Sequence, residues 1–188
     1  MFAALALGAS CALFSAQSPW PQRWAKLEGA TWIRLQRSGA PDVYPETRID
    51  VFANRKCVKT RVISTGYIDY SLKPQVRRTR SGWMLFFASG TGAGSTWKTT
   101  CLAIERPHFA FTSLTNFEHG YPDNFDRTCR FVELHYMKYD NHADNRSRFA
   151  FQRITWRWDD DRRQFVYISS RFVGRTQAEA RRIWKLLA

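Results

Sequence analysis

Several spacings that hold metals and nucleophiles are missing from this sequence. Its four histidines, His108, His119, His135 and His142, form neither HExxH nor HxH, and this excludes the common zinc and metalloprotease arrangements. The four cysteines contain no CxxC, so neither a zinc knuckle nor a thioredoxin-type redox site is indicated. No GxSxG nucleophile elbow is present. No cofactor or metal is therefore expected. Long apolar runs are lacking too. The longest apolar stretch, Phe2–Phe14, falls short of the about 20 residues a membrane span needs. There is no internal repeat and no low-complexity linker.

Negative charge is scarce. Asp and Glu number 16 against 29 Lys and Arg, leaving a net charge of +13. Such a surface attracts nucleic acid, anionic lipid, anionic polymer or an acidic protein without choosing between them. Arginine outnumbers lysine, and its planar fork suits oxyanions, although a GC-rich genome produces the same bias. Hydrophobic residues reach 44% and aromatics 15%, enough for a packed core in a chain of 188 residues.

The N-terminus, "MFAALALGASCALFSAQSPWPQ", carries no charge and has small residues at Ser15 and Ala16. It fits the apolar core of a secretory signal peptide over residues 1–16, although no basic residue precedes the apolar run. A periplasmic or secreted location is expected, with residues 17–188 as a single β-rich domain. Two of Cys57, Cys101 and Cys129 would then be free to form a disulfide, with the pairing open; Cys57 and Cys101, in strand-like runs, also suit small buried sites.

Short runs rich in Val, Ile, Thr and aromatics recur between turn signals, among them Thr31–Gln36, Thr47–Ala53, Cys57–Ile63, Trp83–Ala88, Thr96–Glu105, Arg130–Tyr139, Arg148–Trp158 and Gln164–Phe172. Several alternate at period two, the strand signature. Between the last two, "DDDRR" (Asp159–Arg163) reads as a solvated hairpin tip. "TQAEARRIWKLLA" opens with a capping box, Thr176 and Glu179, and predicts a helix over Gln177–Leu187. The expected fold is mainly β, an antiparallel sandwich or open barrel with one C-terminal helix.

The glycine-rich stretch "ASGTGAGSTWKTT" (Ala88–Thr100) resembles a phosphate cradle but fails its requirements. Trp97, not glycine, precedes Lys98, and Ser95 follows Gly94 where a dinucleotide fingerprint needs another spacing. Both motifs also need a helix afterwards, whereas Thr96–Glu105 is β-branched. A hairpin loop is the simpler reading. Its residues Ser89, Gly90, Thr91, Gly92, Gly94, Ser95 and Trp97 are candidate partner contacts. In composition the loop is similar to the Ser/Gly loop that small cell-envelope inhibitors of lysozyme insert into the enzyme's cleft. That resemblance implies an inhibitor or immunity protein, and +13 implies an acidic target. "SGAPDVY" (Ser38–Tyr44) is a second such loop.

The candidate catalytic residues are Glu118, His119 and Arg127 in "TNFEHGYPDNFDRT" (Thr115–Thr128). A carboxylate base, a histidine acid and an arginine on phosphate would suit RNA cleavage. The bland reading is a polar loop of turn formers. Arg148, Arg153, Arg157, Arg163 and Arg171 interleave with aromatics and form a candidate nucleic-acid surface, or else cover the sheet with their stems. An exported non-catalytic protein with an acidic protein partner is the leading expectation, and a nucleic-acid binder or small secreted ribonuclease is the alternative.

Overall fold

The computed structural model describes residues 21–38, 46–64, 66–68, 72–90, 98–141 and 146–173. The expected leader (1–16) and the expected helix Gln177–Leu187 lie outside the described residues. Within them the chain is mainly β, in three antiparallel sheets. β1 (Gln22–Glu28), β2 (Thr31–Ser38), β3 (Glu46–Ala53) and β4 (Lys56–Ile63) form the first sheet in chain order. β7 (Gly82–Gly90), β8 (Lys98–Glu105) and β9 (Ala110–Phe117) build the second, with short β5 (Tyr67–Ile68) and β6 (Gln75–Arg78) pairing to β7. β10 (His119–Asp123), β11 (Arg130–Asn141), β12 (Arg146–Asp159) and β13 (Gln164–Val173) form the third. The short helix α1 (Phe125–Thr128) links β10 to β11.

Alternation decides how these sheets stack. Trp83, Leu85 and Phe87 of β7, with Leu102 and Ile104 of β8, pack into one core with Ile33, Leu35, Ile49 and Val51 of the first sheet. The intervening Met84, Phe86, Cys101 and Ala103 pack into a second core with Phe131 and Trp158 of the third sheet. The middle sheet is thus buried on both faces, and the fold is a three-layer sandwich. This is why Trp83–Ala88 is an unbroken apolar run while the outer strands alternate. Among the described residues no helix is long and apolar enough to cross a membrane.

Three expectations are corrected. Cys57 is exposed, Cys101 buried and Cys129 half-buried, and all three are free thiols, so the expected disulfide is not formed among them. Cys101 sits inside the second core, where burial and the Glu133 charge push its thiol well above the ordinary value. The tip Asp159–Arg163 joins β12 to β13 but is docked, not merely solvated. Asp160 accepts bonds from the Arg80 and Ser81 backbone N–H groups (both 3.2 Å) and from Ser81 Oγ–H (2.8 Å). Burial alone would raise the Asp160 carboxyl; the bonds from Ser81 and Arg80 outweigh it and hold the carboxyl below its ordinary range. Finally, Thr115–Thr128 is not a surface loop. It contains the end of β9, all of β10 and α1. Pro122 is tolerated because β10 is an edge strand.

Candidate functional site

The chain passes from the middle sheet to the third within one residue, Glu118, and chemistry-bearing side chains gather there. The register places Gly120 opposite Glu133. Glu133 is 5% exposed; its Oε1 accepts the Glu118 backbone N–H (2.9 Å) and its Oε2 accepts the Trp156 indole N–H (2.8 Å). His135 follows on the same face. Its Nε2 lies 2.9 Å from Glu133 Oε1, in close contact but off the line of a hydrogen bond, and its Nδ1 lies 3.5 Å from Glu118 Oε2.

The expected trio does not assemble here. Glu118 meets His135, whereas His119 pairs with Leu134 on the opposite side of the sheet. Burial holds the His119 imidazole below its ordinary value, with the Glu118 charge pulling the other way. Arg127 lies in α1, beyond the far end of β10, about 13 Å of strand away from His119. General acid–base chemistry needs its groups around one substrate atom. The Glu118–His135–Glu133 cluster instead fastens the crossover to the third sheet.

Gly120 makes that junction possible by close approach. A Cβ there would stand 2.3 Å from the Phe131 ring and 2.9 Å from the Val132 carbonyl oxygen. Gly120→Ala is expected to cost about 1–3 kcal/mol by overpacking, read as a lower urea midpoint with an unchanged slope.

A second assembly lies on the face of the third sheet turned away from the middle sheet, beside the buried cluster of Val132, Leu134 and Phe151. Arg130 stands directly opposite Arg157, and Arg153 directly opposite Arg171. Arg153 and Arg157 share this face by strand alternation, and the two arginine pairs are about 13 Å apart along β12. Arg130, Arg157 and Arg171 are exposed. Among the described residues the one carboxylate paired with this set is Asp123, 3.5 Å from Arg153. Sequence reading named Arg153, Arg157 and Arg171 but missed Arg130, which only the register reveals. Arg163 is separate, in the β12–β13 turn and 2.7 Å from Glu105. Arg148 lies in β12 opposite Tyr139.

The aromatics expected beside these arginines face the other way. Trp156 and Trp158 pack towards the second core, and the described rings on the arginine face are half-buried Tyr121 and buried Phe151. The glycine loop is a hairpin connection, since Ser89 pairs with Lys98. Ser89 itself is 2% exposed and bonded to Thr100 Oγ1 at 2.6 Å, which withdraws it from the candidate contacts. Gly90 pairs with Tyr67, while Thr91, Gly92, Gly94, Ser95 and Trp97 lie outside the described residues, as does most of Ser38–Tyr44. No family model, no curated protein and no solved structure matches this chain.

Proposed function

We propose that this chain is an exported, non-catalytic binding protein for an acidic protein partner, in its most concrete form an inhibitor or immunity protein for a cell-envelope hydrolase or toxin. The uncharged, apolar N-terminus supports export. The observation that carries the binding reading is the arginine face. Two arginine pairs set directly opposite one another repel, and like charges in that position destabilise a sheet. A carboxylate seated between each pair relieves the repulsion and gains charge-assisted bonds. The partner would present acidic groups about 13 Å apart.

A secreted ribonuclease is less well supported. Glu118, His119 and Arg127 are spread over two sides and two ends of β10, and the arginine face offers no exposed described ring for a base to stack upon. Poly-glutamate binding provides the first test. Arg130→Glu with Arg157→Glu should weaken it at least about tenfold at moderate salt, as expected when charge pairs are reversed. Equal affinity in wild type and variant would count against the proposal.

A further inference from the structure

The first sheet carries a surface of a different kind on the opposite side of the sandwich. Its inner face is apolar, with Ala25, Leu27, Ile33, Leu35, Ile49 and Val51 all buried. The alternate residues point outward and form a checkerboard of rings and cations. Trp24 stands opposite Arg34, Lys26 opposite Trp32, and Trp32 opposite Phe52. The Arg34 guanidinium lies 5.5 Å from the Trp24 ring centroid and 5.0 Å from that of Phe52, and Lys26 Nζ lies 5.8 Å from that of Trp32.

These rings are open to a ligand. Trp24 is 47% exposed and Trp32 42%. With Phe52 they line a cleft of about 590 Å³, with Asn54 and Arg55 at its rim. Arg34 is held in place beneath its guanidinium. Asp50, fully buried, accepts two bonds from Arg34 (3.2 and 2.7 Å), one from Arg48 Nε (2.9 Å) and one from Thr60 Oγ1 (2.7 Å).

Charge selects the occupant. Residues 21–38 and 46–64 hold nine lysines and arginines against three carboxylates. Asp50 is neutralised beneath Arg34 and Arg48, and Glu28 is engaged by Arg78 and Arg106. A neutral sugar has no use for the surplus cations, and an acidic peptide has none for three rings. A single strand of nucleic acid uses both, because its bases stack on aromatic faces and its phosphates meet the cations. A duplex keeps its ring faces stacked inside and offers only phosphates and edges.

We propose that the outer face of the first sheet is a stacking platform for single-stranded nucleic acid. The surface is separate from the arginine face, so either assignment stands or falls without the other.

The test titrates the full chain with fluorescein-labelled oligo-dT of roughly 12 nucleotides, a length matched to a small stacking surface, following anisotropy and tryptophan quenching. Binding with quenching is expected, with affinity falling as salt rises from about 50 to 200 mM. Trp24→Ala and Trp32→Ala should each weaken binding about tenfold, while Trp32→Phe keeps a ring and retains most of it. Arg157→Gln, on the other face, should change it less than about twofold. Both tryptophans are half-exposed, and an unchanged urea midpoint confirms that each variant folds. Three results would overturn the proposal. One is absence of binding at about 50 mM salt. Another is binding that the folded alanine variants retain in full. The third is quenching by a neutral chito-oligosaccharide but not by oligo-dT.

Discussion

Phe131→Ala is expected to remove about 3–5 kcal/mol of stability, the cost of truncating a fully buried phenylalanine. Phe131 is 0% exposed and stands where the middle and third sheets meet. Its ring stacks on Phe86 of β7 at 5.6 Å and packs against Phe117 of β9 at 4.5 Å and Phe165 of β13 at 5.7 Å. Alanine leaves a void bordered by three strands that backbone pairing holds in place, so the site collapses only in part. Domains of this kind have about 5–15 kcal/mol in total, so the variant loses a large share of it. Urea unfolding followed by tryptophan fluorescence reads the loss directly. A change below about 1 kcal/mol would mean that the two sheets are not joined through this ring.

Arg34→Ala is expected to cost about 3 kcal/mol, because it strips two bonds from a carboxylate with no access to water. The value sits at the low end for a broken buried pair, since Arg48 and Thr60 still serve Asp50. The pH dependence has a definite sign. Burial alone would raise the Asp50 carboxyl, but hydrogen bonds from Thr60, Arg34 and Arg48 outweigh it and hold the carboxyl below its ordinary value of 3.8. A group lowered in the folded state binds its proton more readily when unfolded. Its stabilisation is therefore full above that ordinary value and is lost as pH falls through the lower native one. Asp50→Asn should flatten this part of the acid limb in unfolding measured at successive pH values. An acid limb as steep as that of the wild type would place the sensitivity elsewhere, for instance at Asp160, which has the same sign.

Residues whose role follows from local pattern were legible in the sequence. Trp83–Ala88 reads as a strand and lies in β7, and the β-branched stretch after the glycines reads as a strand and lies in β8. What depended on register was hidden. Glu118 and His135 are far apart in the chain and meet because Gly120 pairs with Glu133. Arg130 joins the arginine face only through its pairing with Arg157. Breakers misled at β10, where Gly120 and Pro122 suggest a loop yet suit an edge strand in close approach to Phe131. The first sheet did carry a readable signal. Trp24-Ala25-Lys26-Leu27 and Trp32-Ile33-Arg34-Leu35 repeat one pattern, ring and cation on one side and apolar residues on the other. Two paired strands with that pattern must present their tryptophans together.

Whether an acidic protein partner is held by the arginine face is decided by a paired pull-down from the protein's own cell extract. Tagged residues 17–188 and their Arg130→Glu, Arg157→Glu variant are compared at low and then high salt. One acidic protein is expected in stoichiometric amount with the wild type after the low-salt wash, and it is expected to be lost from the variant. The same protein recovered equally on both would contradict this expectation, and so would nucleic acid alone eluting as salt rises.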